Sequence, residues 1–382
     1  MKNKKLLSVL ILVTFISITL AFLPSCKKGE EKADEVKIKI GAILPLTGYL
    51  GFVGENFKNG LMLALDGVKE IDIRIGDSKG NAKEGVTILR KFLIDKEIKI
   101  VISVLSSVTD AILPFFKNDS SRLLIATITS KSGLPGFSSS VYRYFLSSED
   151  EVKSVVNYLE KNEIKKIGVF YVNDDFGEDA YKIFKRKYDG EILISEEFST
   201  NEKDFRASIS KFLNLDITNI YLIGYGQWYV SVVKQLKELN FQGRIFAFSG
   251  FGSPVVLNSL KEVAQNVLFS GPLFQPSGGM LTEYAAGFVD AYEKRYGKKP
   301  DHYSAYGFDI GILISNLVRD FYKENKSLGT FDIEKFREFV SSRKAFIGVF
   351  GETRQDKLGD FHFKVKIFKI DKNLLISECD EE

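Results

Sequence analysis

Hydroxyl-bearing residues follow two apolar runs, in positions where they could hold the polar end of a small molecule. Ser106 and Ser107 follow the run Ile98 to Val104, after Leu105. Ser130 follows a second run, Leu123 to Thr127. If both runs are parallel strands, their carboxyl ends meet at one edge of a sheet, which is where open α/β sheets bind ligands. We therefore predict that Ser106 and Ser130 bind an oxygen-bearing, carboxylate-like group, with Ser107 as a further candidate.

Both hydroxyl-rich segments also have a structural interpretation. Ser107, with Asp110 three residues later, forms a capping-box-like pattern in which the serine caps the first turn of a helix. Ser106 would then lie beside the free amides of that turn, which favour an anionic group. The segment Ile128 to Gly133 faces the same edge of the sheet, and an ordinary polar turn is its alternative.

Glycines and aromatic residues follow a third apolar run, Ile217 to Ile223. Tyr225 lies between Gly224 and Gly226, which let the backbone approach a ligand closely. Trp228, the one tryptophan of the chain, follows three residues later. We predict that both aromatic side chains supply flat apolar area to the site. The alternative for Trp228 is that it begins a helix and packs within its own part of the fold.

Residue patterns for metal, nucleotide or catalytic chemistry do not occur. The two histidines, His302 and His362, lie far apart in the sequence, and there is no CxxC or HExxH motif. No GxxxxGK[ST] loop is present to bind a nucleotide phosphate. We predict no metal site, no cofactor and no catalytic residue.

A glycine-rich segment after the first apolar run invites comparison with a dinucleotide-binding loop. Gly48, Gly51 and Gly54 are spaced GxxGxxG, however, whereas the tight turn around a pyrophosphate needs GxGxxG. We interpret the segment as a loop at the mouth of a binding site. Phe52 and Val53, which lie within it, are therefore candidate ligand-binding residues.

The charge balance argues against a nucleic-acid partner. Lysine and arginine together number 53, and aspartate and glutamate number 50. Three of the lysines precede Cys26 and no acidic residue does, so the charges after that point are balanced. Nucleic-acid binding needs a basic excess or stripe, and neither is present.

The first 35 residues have the pattern of an export signal followed by a tether. Met1 to Lys5 carries three lysines, Leu6 to Leu23 is apolar, and Cys26 ends the segment. We predict a signal over residues 1–26 with a lipid attached to Cys26, then a solvated tether over 27–35 that holds the protein at the membrane. The alternative is an uncleaved N-terminal anchor with Cys26 unmodified.

Apolar strand-like runs alternate with helical patterns in two series, over residues 36–127 and 165–248. This alternation predicts an α/β protein with two mostly parallel sheets, each flanked by helices. Val141 to Ser148 is extended and could cross from one sheet to the other. Regular patterns also occur later, as helices at Leu281–Tyr296 and Tyr303–Tyr322 and as an edge strand at Phe361–Ile370.

Five segments, in this order, resemble the leucine/isoleucine/valine-binding protein family of ABC-transporter substrate receptors, and the similarity covers nearly all of the chain after Cys26. The resemblance implies a two-lobed type I periplasmic-binding-protein fold whose lobes are joined by three crossings. It also implies docking of the closed form to a membrane permease. The segments are Gly41 to Gly48, Ser106-Ser107, Ala126 to Gly133, Asn173 to Glu178 and Tyr303 to Asp309.

Under this resemblance we expect the crossings near Tyr142–Ser148, Pro272–Ser277 and Ile347–Gly351. Lobe 1 would then comprise residues 36–147 and 277–348, and lobe 2 residues 148–276 and 349–382.

The family's ligand-binding residues carry over to lobe 1 at four positions. Its carboxylate-binding hydroxyls match Ser106 and Ser130. The backbone of Ile128 and Thr129 lies beside them. The resemblance therefore implies the same oxygen-binding role that the strand ends predict.

The second lobe departs from the family pattern. Phe176 matches an aromatic residue that covers the ligand, and Tyr225 and Trp228 fall on a loop that carries another. The acid that pairs with a ligand ammonium in the family falls at Ser249, next to Gly250. A buried ammonium without a carboxylate would be left unpaired, so the ligand's identity stays open.

The expected function is capture of a small polar or carboxylate-bearing molecule outside the cytoplasm for an ABC transporter. The compound would be like a branched-chain amino acid or a related organic acid or amide. An alternative is a sensory receptor that uses the same two lobes to report a ligand. Since catalytic constellations are absent from the sequence, we expect no enzyme activity.

Overall fold

The computed structural model describes residues 37–130, 132–199, 202–275, 282–325 and 331–379. The predicted signal, the acylated Cys26 and the tether at 27–35 lie outside these residues. None of the helices that can be described is both long enough and apolar enough to cross a membrane.

The first lobe is built on a five-stranded sheet with the order β2-β1-β3-β4-β5, in which every pairing is parallel. Its central strands are continuous apolar runs because side chains of helices cover both faces. The strands are β1 (Ile38–Leu44), β2 (Ile71–Asp77), β3 (Ile98–Val104), β4 (Leu123–Thr127) and β5 (Val141–Arg143). The connecting helices are α1 (Gly51–Ala64), α2 (Ala82–Ile94) and α3 (Ser106–Ile112), the last followed by a 3₁₀ turn at Leu113–Phe116.

The second lobe contains a seven-stranded mixed sheet with the order β15-β14-β10-β9-β8-β6-β7. Its strands are β6 (Lys166–Val172), β7 (Glu191–Phe198), β8 (Asn219–Ile223), β9 (Arg244–Ala247), β10 (Val267–Pro272), β14 (Val365–Ile370) and β15 (Ile376–Glu378). The pairings of β14 with β10 and with β15 are antiparallel, and the other pairings in this sheet are parallel. The helices are α4 (Ser148–Lys161), α5 (Asp175–Lys187), α6 (Arg206–Asn214), α7 (Gln227–Glu238) and α8 (Pro254–Leu260), with 3₁₀ turns at Ser249–Gly252 and Lys261–Ala264.

The chain then returns to the first lobe. Its later elements there are α9 (Glu283–Tyr296), α10 (His302–Glu324) and α11 (Ile333–Ser342), and a small antiparallel sheet of β11 (Ala345–Gly348), β12 (Gly351–Gln355) and β13 (Phe361–His362). The chain thus passes between the lobes three times, after β5, after β10 and between β13 and β14. Val349, Phe350, Phe361 and Phe363 are buried in the first lobe's core. The packing therefore places the last crossing after Phe363 and not at the expected position near 348/349.

Helix α4 is absent from the sequence-based expectations although its signals are present. Ser147 is its N-cap and accepts a hydrogen bond from the amide of Asp150. One face, formed by Val152, Val155 and Leu159, is fully buried. The helix follows the first crossing directly, and it carries an acidic residue of the candidate site described below.

Two other expectations about secondary structure are wrong. The segment Phe361–Ile370 is not one edge strand, because β13 and β14 belong to different sheets and β14 is covered by β15. The glycine-rich mouth loop is instead largely the first turn of α1, which begins at Gly51. A Cβ on Gly54 would overlap the carbonyl of Pro45, so glycine lets this turn pack onto the loop after β1.

Arg143 and His362 form ion pairs where the chain passes between the lobes. Arg143, at the end of β5, binds Asp360 through Nε (2.8 Å) and Nη2 (2.5 Å). On β13, His362 contacts the carboxylate of Asp150 through Nδ1 (3.2 Å) and that of Asp356 through Nε2 (3.4 Å). Because Asp150 lies on α4, the imidazole connects the two lobes.

The histidine makes stability depend on pH. The hydrogen bond to Asp150 raises the pKa of His362 from 6.5 to about 9. A raised folded-state pKa gives stability that is complete below pH 6.5 and is lost as the pH rises through about 9. We expect wild-type protein to melt above His362→Gln at pH 6, with the difference shrinking by pH 9.5. Melting temperatures across that range measure it, and a difference that grows with pH would contradict the assignment.

Candidate functional site

A cavity of about 370 Å³ lies between the two lobes. Its size falls within the range of small-molecule sites, roughly 300–1,000 Å³. The first lobe lines it with the segments after β1, β3 and β4 and with the start of α10. The second lobe contributes the start of α4 and the segments after β6, β8 and β9. The segments that follow the strands in both lobes therefore line one cavity, as predicted for the ends of β3 and β4.

The first lobe presents hydroxyl groups to this cavity. Ser106, Ser107 and Ser130 all line it, and Ser130 is buried. The predicted cap at Ser107 is wrong, because α3 already begins at Ser106 and Leu105 occupies the N-cap without a side-chain hydrogen bond. Ser107 is instead an exposed residue at the edge of the cavity.

Two residues that precede these hydroxyls have unusual backbone angles. Leu105 has φ +82° and Ile128 has φ +52°, and each directly follows a strand and lines the cavity. Side chains with a Cβ rarely adopt positive φ, and such strain costs about 1–3 kcal/mol per residue. The sharp turn that results brings the next residues of the loop to the cavity.

Aromatic side chains form much of the cavity wall. Phe52, at the start of α1, lies edge-on to Tyr303 with ring centroids 5.8 Å apart. On the second lobe, Phe176 contacts Phe248 (5.3 Å) and Tyr225 (6.0 Å). The predicted residues Phe52, Val53, Phe176 and Tyr225 therefore all line the cavity. Its walls are suited to the apolar part of a ligand.

The cavity lining does not include two of the predicted ligand-binding residues. Trp228 is only 5% exposed and packs in the second lobe's core, 5.9 Å from Phe205 between ring centroids. Gly224 separates it from the cavity, and a Cβ there would overlap the indole. Thr129 is 1% exposed, while its neighbours Ile128 and Ser130 line the cavity. The prediction that the Trp228 side chain faces the ligand is wrong, since it packs in its own lobe.

This burial predicts the fluorescence of the protein. Because Trp228 is the one tryptophan and is enclosed by Phe198, Phe205 and Tyr229, its emission should lie at short wavelength. We expect acrylamide to quench it weakly, with and without a ligand. A large change in quenching on ligand binding would show that the indole becomes exposed or covered at the cavity.

A buried carboxylate that the sequence analysis missed lines the second lobe's side of the cavity. Glu151, on the first turn of α4, is 2% exposed. It accepts hydrogen bonds from the amide of Ser249 (2.8 Å), the hydroxyl of Ser249 (3.1 Å) and the hydroxyl of Ser270 (2.7 Å). Burial raises its pKa to about 7. Ser249 and Gly250 line the cavity as predicted, so the chain provides an acid close to the position where the family resemblance finds none.

Two further polar groups are fixed at the cavity wall. Asp174 is the N-cap of α5 and accepts a hydrogen bond from the amide of Gly177 (2.9 Å). It also accepts a hydrogen bond from the hydroxyl of Tyr225 (2.5 Å). His302 Nε2 lies 3.1 Å from the carbonyl of Phe274, and burial lowers the pKa of the imidazole to about 4. His302 is therefore neutral at pH 7.

Metal binding has no support in the described ranges, which contain no cluster of three or more histidine, cysteine or acidic residues that could hold an ion. The cavity combines hydroxyls, aromatic rings and one buried acid. Such a set of residues binds a small molecule by hydrogen bonds and apolar contact. Two α/β lobes with this cavity between them define a two-lobed solute-binding protein.

A family model described as periplasmic binding protein matches residues 37–373, and the chain belongs to that family. Its members are solute-binding proteins and not enzymes, and the family implies a location outside the cytoplasm. The resemblance to the leucine/isoleucine/valine-binding proteins is confirmed. A Leu/Ile/Val-binding protein of Rhizobium johnstonii is 24% identical over 229 residues, which are 56% of this chain and 62% of that relative. The alignment thus spans less than two thirds of the relative.

Solved structures confirm the type I periplasmic-binding-protein fold. A branched-chain amino acid transporter substrate-binding protein from Streptococcus pneumoniae, in complex with isoleucine, has a TM-score of 0.77 at 21% identity. The similarity covers 90% of this chain and 99% of that one. A solute-binding protein of an ABC transporter from Rhodopseudomonas palustris, in complex with 3,4-dihydroxybenzoic acid, has a TM-score of 0.76 at 18% identity. That similarity covers 90% of this chain and 96% of the other.

Proposed function

We propose that this protein captures a small molecule with a carboxylate end and an apolar body, and delivers it to an ABC transporter. The observation that carries the proposal is the aromatic-walled cavity between two lobes, with the hydroxyls of Ser106 and Ser130 at one side. Hydroxyls at strand ends can bind the oxygens of a carboxylate, while the aromatic rings contact the rest of the molecule.

The ligands of the similar proteins support this chemistry. Isoleucine and 3,4-dihydroxybenzoic acid differ in their apolar parts, but both carry a carboxylate. A cavity of about 370 Å³ has room for a molecule of either kind. The aromatic lining of this chain favours a branched aliphatic or aromatic body.

Contacts between the lobes support enclosure of the ligand. The amide of Ser132, in the first lobe, donates to Asp179 on α5 at 2.9 Å. The hydroxyl of Tyr49 reaches the second lobe beside Gly226. These contacts bridge the cleft next to the cavity, as expected for the closed form that a permease would receive.

We also propose that the protein is held at the membrane through a lipid on Cys26. A cysteine at the end of an apolar run, followed by a hydrophilic tether, supports this attachment. Since one acyl chain anchors only marginally, a second on the new amino terminus would complete the anchor.

The identity of a retained ligand tests the proposal. Mature protein is purified, denatured and analysed by mass spectrometry for a released small molecule. We expect a carboxylic acid that rebinds the refolded protein at one per chain and is recovered unchanged. Ser107→Trp, which places an indole at the cavity edge, should abolish rebinding while the protein remains folded. A compound that binds Ser107→Trp equally well, or that is chemically converted, would contradict the proposal.

The hydroxyls should contribute measurably to affinity. Replacing Ser106 or Ser130 by alanine removes a hydrogen bond to a charged group, which costs about 1–3 kcal/mol. Dissociation constants for the released compound should therefore rise between roughly fivefold and 150-fold in calorimetric titrations. Ser121→Ala, a surface change away from the cavity, serves as the control. Unchanged affinity in both cavity variants would remove their assigned role.

A further inference from the structure

We infer that Glu151 is the specificity-determining residue of the second lobe and that it recognises a positively charged nitrogen on the ligand. This inference rests on the proposed function, because it assigns a role to a residue of the same cavity. It requires that the carboxylate is held in place, that it faces the ligand, and that no other group neutralises it.

The carboxylate is held in place before any ligand arrives. Its three hydrogen bonds come from Ser249 and Ser270, at distances of 2.7 to 3.1 Å. Both partners and α4 belong to the second lobe, so the arrangement does not depend on closure of the lobes. A fixed acceptor loses little entropy on binding and therefore selects by geometry as well as by charge.

The carboxylate also faces the ligand's space. Glu151 lines the cavity although it is only 2% exposed. Oε2 accepts two hydrogen bonds, from the Ser249 amide and the Ser270 hydroxyl, whereas Oε1 accepts one, from the Ser249 hydroxyl. A carboxylate oxygen can accept more than one hydrogen bond, which leaves Oε1 able to accept one from a ligand.

Among the residues that the structure describes, no cation contacts Glu151. Two hydroxyl groups lie around it, from Ser249 in the turn after β9 and from Ser270 on β10. Three phenol groups also lie near it, from Tyr221 on β8, Tyr229 on α7 and Tyr306 on α10. The neighbouring charged group is another acid, Asp150, which binds His362. Among the described cavity-lining residues there is no lysine or arginine, and the buried His302 is neutral.

A buried carboxylate without a cation is costly, and burial raises its pKa to about 7 to relieve that cost. A ligand ammonium would supply the missing charge and favour the ionised form. The family has an acid at the position of Ser249. In this chain Glu151, on α4, takes the place of that acid, and the amide and hydroxyl of Ser249 donate hydrogen bonds to it. With the hydroxyls of the first lobe, the cavity suits a molecule with a carboxylate and an ammonium.

Matched compounds that differ in the ammonium test the inference. L-phenylalanine is compared with 3-phenylpropanoate, and L-leucine with 4-methylpentanoate, by calorimetry at pH 8. We expect wild type to prefer the ammonium member of at least one pair by about tenfold or more. Glu151→Gln should lose that preference. Glu149→Gln is the control, because it removes a carboxylate of the same helical turn that pairs with Lys187 and not with the cavity.

Two further measurements distinguish a loss of ammonium recognition from a folding defect in Glu151→Gln. Glu151→Asp keeps the charge on a shorter side chain and should retain part of the preference. At pH 7, binding of the ammonium compound should release protons in wild type, seen as a dependence of the heat on the buffer, and not in Glu151→Gln.

Each outcome decides a claim. A preference that survives in Glu151→Gln, or one lost only in Asp175→Asn at the same cavity, overturns the inference. Equal or tighter binding of the deaminated acid by wild type also overturns it but leaves the proposed function intact. If wild type binds neither these compounds nor any molecule released from it, both claims fail.

Discussion

Replacing Gly307 with alanine should lower the free energy of unfolding by about 3 kcal/mol, the upper part of the range for overpacking a core. Helices α1 and α10 touch backbone to backbone. A Cβ on Gly307 would overlap the carbonyl oxygen of Phe57, and one on Gly60 would overlap that of Ser304. Neither carbonyl can turn aside without breaking its helix, so the helices must move apart.

The same substitution should weaken ligand binding, because this helix pair positions one wall of the cavity. Helix α1 carries Phe52 and Val53, and α10 carries Tyr303 and Tyr306. Gly287→Ala on α9 is the matched control. A Cβ there meets nothing within 4 Å, and alanine is the better helix former by roughly 0.5–1 kcal/mol. Chemical denaturation measures both variants, and equal stability of Gly307→Ala and wild type would contradict this packing.

Replacing Asp360 with alanine should cost roughly 3–5 kcal/mol, as expected when one member of a buried ion pair is removed. The side chain of Arg143 is 3% exposed and that of Asp360 9% exposed, and two hydrogen bonds join them. Loss of the carboxylate removes both of these bonds from a buried guanidinium at the first crossing.

An exposed ion pair provides the comparison. Arg354 binds Glu352 at 2.7 Å, but the arginine side chain is 79% exposed. Such pairs contribute about 0–1 kcal/mol, so Glu352→Ala should be nearly neutral. If Asp360→Ala and Glu352→Ala shift the urea midpoint equally, the buried pair does not stabilise the crossing as described.

The hydroxyl side of the site could be predicted because it depends on local patterns and one general rule. Apolar runs gave β3 and β4 with the bounds that the structure has, Ile98–Val104 and Leu123–Thr127. Parallel strands in one sheet bring their carboxyl ends together, which places Ser106 and Ser130 at one cavity. No long-range contact had to be known.

The acidic side could not be predicted in the same way. Glu151 and Ser249 are 98 positions apart, and their contact depends on how α4 packs against the second sheet. The sequence around Glu151 is acidic, with Glu149 and Asp150 beside it, so residue type alone does not distinguish the buried member. The i, i+3 spacing of Val152 and Val155 was the available signal, since Glu151 neighbours that buried face.

Side-chain direction explains the wrong prediction for Trp228. A position shortly after a strand end fixes where the backbone lies, but not which way the first residues of the following helix point. Trp228 is the second residue of α7 and points into the core, while Gln227 lines the cavity. The helix that carries Tyr303 and Tyr306 was expected in the first lobe, but its sequence pattern does not show which of its residues face the cavity.

Hydrogen–deuterium exchange with and without the compound released from the purified protein tests the central claim most directly. That claim is that one small molecule binds between the two lobes. We expect slower exchange of amides in the segments 105–107, 128–130 and 249–250, which surround the cavity from both lobes. Protection in one lobe only, or protection confined to surfaces away from these segments, would contradict it.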